Sequence, residues 1–510
     1  MKGIVACVFV CFVLTSVSCC ENGNVTLQPA QRQLCEFKIK HPKPIGVLTT
    51  TAGRPVELRE TVTVNSELIS NEFLLDTMMH FDQERVPERV AHAKGTAAFG
   101  YFEVTHDISE YTKADVFNGI GRKTPLLVRF STGIQSLGGP DVSREQKGLA
   151  IKFYTKDGNF DLLCLQTPVY FYTDPLYFNS LIHALKRNPN TNLFDETSKW
   201  DFIIQRPKVL HTHLWTQSDY GIATSYRNMD FFPIHTYELS NKKGNRYYVR
   251  FNFRTEQGLR NLSDVGIAEP SRDTDYYNRD LYNAIGNKSY PSWRLELDVM
   301  NSDEIRHLDY NPFDVSRQWK TGTYHTVQVG RLVLNKNPGN MFKVSELSAF
   351  NPGSLVPGIP GPVDFLFKSR RLFYRDTQNY RLRVNHNNID VNQPLYAKTY
   401  TRDGLPPVND NMRDAPNYYP NSFNGPEPVV DESQPWKRLI IFESNAVDLE
   451  PHSHFYNHVL TDDGQRQRLA DVLAESLAAV TQPVQRKALK LLALVDKDLG
   501  KRVKAGLKKT

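Results

Sequence analysis

The chain has 510 residues, 40% hydrophobic and 11% aromatic, with 62 Lys and Arg against 56 Asp and Glu for a formal charge of +6 at pH 7. That length supports one large domain with additions, or two to three domains, with a substantial core. The small positive balance is spread along the chain and implies neither a nucleic-acid partner nor a membrane surface.

The first predicted element is a leader over residues 1–18. Met1-Lys2, the apolar run Gly3 to Val17 and the exit Ser18-Cys19-Cys20 read as a cleaved secretory signal. The run is shorter than the about 20 residues that span a bilayer, so a secreted, extracellular protein is expected. The sequons Asn24-Val25-Thr26, Asn261-Leu262-Ser263 and Asn287-Lys288-Ser289 fit a secreted glycoprotein. The ending Leu507-Lys508-Lys509-Thr510 matches no peroxisomal or endoplasmic-reticulum retention signal. Of the 6 cysteines, Cys7 and Cys11 leave with the leader and Cys19 and Cys20 lie at its exit. Cys35 and Cys164 are then expected as thiols of the mature chain, without a disulfide framework.

Residues 19–75 are polar and aperiodic, and read as an arm that a partner surface orders. From 76 to 335 the chain is β-rich. Pro125 to Ser131, Leu149 to Tyr154, Arg246 to Phe253 and Arg294 to Val299 are short runs of β-branched and aromatic residues, and turns such as Lys156-Asp157-Gly158-Asn159 close them. Many such strands predict a barrel or sandwich. His92 stands near the start of this region, in Glu88-Arg89-Val90-Ala91-His92-Ala93-Lys94-Gly95.

Between 336 and 435 Pro and Gly cluster, as in Pro357-Gly358-Ile359-Pro360-Gly361-Pro362, with little regular pattern. A stretch of this kind wraps over another surface or carries function. Tyr374 lies within it, in Arg370-Arg371-Leu372-Phe373-Tyr374-Arg375-Asp376-Thr377. A tyrosine binds ferric iron only as phenolate, and Arg370, one helical turn earlier, is spaced to stabilise that anion. With His92, this pair suggests a haem site. Residues 436–510 form the last region, helical after about 461. Leu469, Val472, Leu473, Leu477 and Val480 share one face, and Leu489, Leu492 and Val495 or Leu499 continue the pattern after Pro483.

The segment Arg85 to Gly95 closely resembles the distal-histidine motif of the haem catalases. The likeness continues through Phe99 to Asp107, Val128-Arg129-Phe130-Ser131-Thr132, Lys186-Arg187-Asn188-Pro189, Tyr290-Pro291-Ser292-Trp293, Asn311-Pro312-Phe313-Asp314 and Ala415 to Phe423, covering roughly residues 70 to 505. This resemblance implies an α+β fold with an eight-stranded antiparallel β-barrel, a long wrapping segment and a C-terminal helical domain, assembled as a homotetramer or other homo-oligomer around haem b. It implies decomposition of hydrogen peroxide to water and oxygen. His92 matches the proton-transferring histidine, Ser131 the serine that orients it and Tyr374 the iron ligand. Arg370 matches the residue that stabilises the phenolate. Arg89, Arg129 and Arg381 match arginines near the haem propionates, and Phe178 the ring that stacks on the macrocycle.

Several positions depart from that pattern. The family carries an asparagine before Thr-Pro, whose amide positions peroxide; here the sequence is Leu163-Cys164-Leu165-Gln166-Thr167-Pro168, and Gln166 is expected to present the amide from a longer side chain. Gly133, Ala91 and Leu149 replace a valine, a valine and a phenylalanine, which predicts a wider pocket. Phe373 occupies a usually small position. Of the family's NADPH contacts, His211, Ser218 and Trp319 are kept, whereas Tyr220 replaces an arginine and Arg254 a lysine, so bound NADPH is not expected. Attenuated catalase activity, a haem peroxidase using organic reductants, and a catalytically silent binding or structural protein on the same fold are the readings these departures leave open.

Overall fold

The computed structural model describes residues 27–61, 71–194, 196–206, 208–217, 219–262, 270–408, 412–433, 453, 456–457, 462–478 and 482–508. The expected leader and the sequon at Asn24 lie outside them. Internal contacts divide the chain into two compact units, residues 1–397 with 402–410, and residues 398–401 with 411–510.

The first unit begins with helices α1 (Pro29–Lys40) and α2 (Glu72–Phe81). No residue of α1 is buried, and its Leu34, Phe37 and Ile39 are exposed. Cys35, within α1, is disulfide-bonded. This corrects its reading as a free thiol: Cys164 is the other described cysteine and is free, so the partner lies outside the described residues. Sequence counting missed the pair because pairing depends on which cysteines the fold brings together.

Strands β1 (Gly95–Val104), β2 (Lys123–Thr132), β3 (Lys147–Thr155) and β4 (Gly158–Leu165) follow as antiparallel neighbours. Next come helices α3 (Tyr177–Leu185), α4 (Glu196–Gln205) and α5 (Lys208–Gln217). Strands β5 (Phe232–Pro233), β6 (Tyr237–Ser240) and β7 (Arg246–Thr255), helix α6 (Tyr276–Gly286), and strands β8 (Ser292–Asn301) and β9 (His325–Lys336) complete the sheet. Its 9 strands run in the order β5-β4-β3-β2-β1-β9-β8-β7-β6.

The two end strands belong to one extended segment. β5 pairs with β4, and after Ile234-His235-Thr236 the chain continues into β6, which pairs with β7. Phe231, just before β5, also bridges Phe253 on β7. Residues 231–240 therefore join both sheet ends and close the barrel. Counted once, this segment reconciles the 9 assigned strands with the eight expected.

Strands β2, β3 and β4 are buried on both faces. Leu126, Val128, Phe130, Ile151, Phe153, Phe160 and Leu162 fill the barrel interior. On the outer face Leu127 and Ala97 meet Val344, Phe350 and Val391. Double burial explains why these strands read as nearly continuous apolar runs.

Helix α7 (Phe365–Leu382) lies in the region expected to have little regular structure. Its buried residues are Leu366, Phe367, Arg370, Gln378, Arg381 and Leu382. The spacing is helical, but several of those positions are charged or polar, so hydrophobic periodicity could not find it. Asp364 caps it, Oδ1 accepting from Phe367 N at 2.9 Å.

The second unit contains helices α8 (Asp463–Ala478), α9 (Gln482–Val495) and α10 (Lys497–Gly506). Leu469, Leu473, Leu477, Leu489, Leu492 and Val495 pack around buried Ala470, Ala474, Leu499 and Val503, as the helical spacing predicts. Pro483 sits in the first turn of α9, where its missing N–H breaks no helical bond. Among the described residues no helix is long and apolar enough to cross a membrane.

Candidate functional site

The pleat of β2, β3 and β4 decides which side chains face the site. Ser131 pairs with Gly148, and Gly148 with Leu165. These three share one rung on the outer face, and all line a cavity of about 450 Å³ together with Arg89, His92, Arg129, Gly133, Phe178, Arg370 and Tyr374. The structure thus gathers most of the expected site residues around one space, with His92 and Ser131 from the sheet side and Arg370 and Tyr374 from α7.

His92 has a φ of 63°, in the left-handed region that non-glycine residues rarely occupy. Three contacts hold it there. Its N–H donates to Gly133 O at 3.0 Å, its carbonyl accepts from Arg129 Nη1 at 2.7 Å, and its Nδ1 lies 3.0 Å from Ser131 Oγ. A Cβ on Gly148 would stand 2.9 Å from His92 Cε1 and Nδ1, so glycine is what lets the ring lie against the sheet. Burial first, then the cations of Arg129, Arg370 and Arg89, pull the His92 pKa from 6.5 to about 3. The imidazole is neutral through the physiological range.

On the α7 side, Arg370 Nη2 donates to Tyr374 OH at 3.0 Å. The other arm of the guanidinium, Nη1, lies 2.7 Å from His235 Nε2, and His235 Nδ1 lies 2.9 Å from Asp364 Oδ2. Burial opposes the Arg370 cation, but the Tyr374 and Tyr170 hydroxyls outweigh it and its pKa rises above the usual arginine value. Burial likewise pushes His235 down, against the pull of Asp364. His235 and Asp364 were missed in the sequence. Asp364 has the form of a helix cap, but nothing in the apolar run Phe231-Phe232-Pro233-Ile234-His235 marks the histidine.

Arg89, Arg129 and Arg381 gather on Glu346, the first two on its carboxylate and the third on its main-chain carbonyl. Arg89 Nη1 and Arg129 Nη2 lie 3.4 and 3.5 Å from Glu346, and Arg381 Nη2 donates to Glu346 O at 2.8 Å. Burial lowers all three arginine pKa values, Arg381 to about 10. Arg381 Nη1 is buried without a hydrogen-bond partner among the described residues. Three buried cations against one carboxylate leave room for an anionic group, and with a phenol-bearing wall beside them these residues fit a carboxylated iron porphyrin.

Gln166 does not join this site. Its Nε2 donates to Glu145 O at 3.1 Å, its Oε1 accepts from Lys147 N, and it is absent from the cavity lining. It belongs to the rung of Thr132 and Lys147, one residue out of step with Ser131, and therefore points to the opposite face. Leu165 takes the cavity-facing position, so the expectation of a distal amide from Gln166 is corrected. The expected widening at Gly133 is also limited: a Cβ there would meet Gln146 O at 3.0 Å and Gln146 Cβ at 3.3 Å. Of the residues weighed for NADPH, Trp319 donates to Pro312 O at 2.8 Å, Arg254 pairs with Asp230 at 3.0 Å, and Tyr220 sits against Trp215 with ring centroids 5.1 Å apart. Ser218 and the His211 side chain lie outside the described residues.

Residues 49–425 match the family model described as catalase, and residues 453–507 match the one described as catalase-related immune-responsive. The chain is 40% identical over 495 residues to a catalase of Sus scrofa, covering 94% of each chain. It is 42% identical over 494 residues to a catalase of Glandirana rugosa, covering 94% of this chain and 93% of that one. Among solved structures, a fungal catalase matches with a TM-score of 0.73 and 34% identity over 90% of this chain and 95% of that one. A bacterial catalase matches with a TM-score of 0.74 and 32% identity over 92% and 97%.

Proposed function

The chain belongs to the catalase family, haem-dependent oxidoreductases that decompose hydrogen peroxide, and from that premise we propose how its own residues divide the work. When bound, haem supplies the ferric iron at which one peroxide is reduced to water and a second is oxidised to oxygen. Tyr374 would ligate the iron, with Arg370 donating to its oxygen and anchored by its other arm through His235 to Asp364. Arg89, Arg129 and Arg381 would take the propionates, and Phe178 would pack against the macrocycle. With Nδ1–H donated to Ser131 Oγ, His92 Nε2 accepts a proton from one peroxide oxygen and returns it to the other, which leaves as water. A neutral imidazole is the form this step requires.

The observation that carries this reading is the placement of the His92–Ser131 pair and the Arg370–Tyr374 pair on one cavity. Tyr374→Phe removes the only oxygen of that side chain, and is expected to abolish haem retention or to change the visible spectrum strongly. Unchanged haem content and spectrum in that variant would remove Tyr374 as the ligand.

Three further proposals stand beside it. The protein is secreted: the basic start and apolar run support export, and Asn261 and Asn287 are exposed, as acceptors must be. It is a homo-oligomer, supported by an arm helix whose apolar side chains find no burial in the described chain. It does not hold NADPH, because Tyr220 replaces the arginine expected of a phosphate site.

A further inference from the structure

The positive charge of the chain is concentrated at its C-terminal end, which corrects the expectation of an even spread. Residues 482–510 hold 9 Lys and Arg against 2 Asp and Glu, a local +7 where the whole chain carries +6. Everything before them sums to −1. On α9 the exposed cations Arg486, Lys487 and Lys490 are mixed with exposed Leu491 and Leu494. On α10 they form a row.

The buried residues of α10 are Leu499, Gly500 and Val503. Lys497, Lys501, Lys504 and Lys508, spaced by four, three and four residues, fall on another face, within about 60° of one another and along about 16 Å. Leu507, with φ −61° and ψ −21°, carries the helical path on to Lys508. All four lysines are exposed, and among the described residues none of their ammonium groups makes a hydrogen bond or an ion pair. The acids beside them are already engaged. Asp496 accepts from Asp498 N at 2.7 Å and from Asn457 Nδ2 at 3.1 Å, and Asp498 Oδ2 accepts from Tyr456 OH at 2.6 Å and Arg502 Nε at 2.7 Å.

Like charges three and four residues apart weaken a helix, and Lys497 stands in the first turn, where the helix dipole opposes a cation. Neither local support nor the dipole therefore accounts for the row, and an anionic partner does. Single file suits a linear polyanion. The large apolar residues Leu499 and Val503 are buried, so this face has nothing to insert into a bilayer, and α10 has no aromatic ring on which a base could stack.

We propose that the face of Lys497, Lys501, Lys504 and Lys508 binds a linear sulfated polysaccharide, its ammonium groups meeting successive anionic groups of the polymer. The choice of this polymer over nucleic acid also rests on the reading of the chain as exported.

The test titrates the full-length, haem-loaded protein with heparin and, in parallel, with phosphatidylserine vesicles and a DNA duplex. Heparin is expected to bind with an affinity that falls as salt rises, by about one power of salt concentration per cation engaged. Lys501→Gln/Lys504→Gln is expected to lower heparin affinity about tenfold and the salt exponent by about two, with denaturant midpoint and oxygen release per haem unchanged. Lys501→Arg/Lys504→Arg keeps both charges and is expected to stay within about twofold of the parent. The same is expected of Lys242→Gln/Lys243→Gln, an equal change of charge at exposed lysines of the first unit. No heparin binding by the parent, an equal loss in the two glutamine variants, or tighter binding of vesicles or duplex overturns the proposal. Peptide mapping of the natural protein separates the premise: residues 1–18 still attached refute export and with it this partner, whereas a processed chain indifferent to Lys501 and Lys504 refutes only the lysine row.

Discussion

His92 combines a strained backbone with a suppressed charge, and both have the same origin. The left-handed φ of 63° brings its carbonyl to Arg129 and its ring to Ser131, inside a shell of burial and cations that lowers its pKa to about 3. The base is therefore already deprotonated across the working range. The pH profile of kcat/KM for peroxide is expected to run level through 6.5, and an acid limb centred near that value would show an imidazole in contact with water. Linkage has the same sign. Since the folded-state pKa lies below the unfolded value, stability from His92 is complete above about 6.5 and declines as pH falls from there toward 3. His92→Ala should retain haem and lose about 10²–10⁴-fold in turnover, read from oxygen release per haem.

The strands and α7 supply precision that no single residue has. Gly148→Ala places a methyl 2.9 Å from His92 Cε1 and Nδ1 and from Ser131 Oγ, so the ring must move. A displacement approaching 1 Å costs about a hundredfold in rate, and turnover is expected to fall by that order with haem content unchanged. Full activity in Gly148→Ala would mean the sheet gives way more easily than the ring. At the other wall, Asp364 both caps α7 and holds His235. Asp364→Ala should lower stability by about 1–2 kcal/mol through the cap alone, measurable as a lower denaturant midpoint, and should shift the haem spectrum because Arg370 loses its anchor. A shifted midpoint with an unaltered spectrum would confine Asp364 to capping.

At the scale of the molecule, the closing segment 231–240 ties barrel and site together, because the connection between β5 and β6 carries His235. Closing the sheet therefore positions the anchor of Arg370. The arm is the opposite case. Its exposed Leu34, Phe37 and Ile39 leave apolar area in water that a second copy of the chain would cover. Light scattering of the haem-loaded protein is expected to give a multiple of the chain mass, and removal of residues 27–48 to shift the population toward smaller species. A monomer in both cases would leave the arm without that role.

The catalase resemblance, the barrel strands and the pairs His92 with Ser131 and Arg370 with Tyr374 were legible in the sequence, because each depends on local spacing or on long runs of matched residues. The stripes of the C-terminal helices were legible for the same reason: their buried faces are apolar. Helix α7 was not, since its buried face holds Arg370, Gln378 and Arg381, and neither was His235, which reaches Arg370 only through barrel closure. The Cys35 disulfide required knowing which segments meet. The distal amide is the sharpest division. Sequence placed an amide before Thr167, but the pleat turns Gln166 inward and leaves Leu165 facing the cavity. Residue type is written in the chain; the face on which it lands is decided by strand register, where one step reverses every side chain.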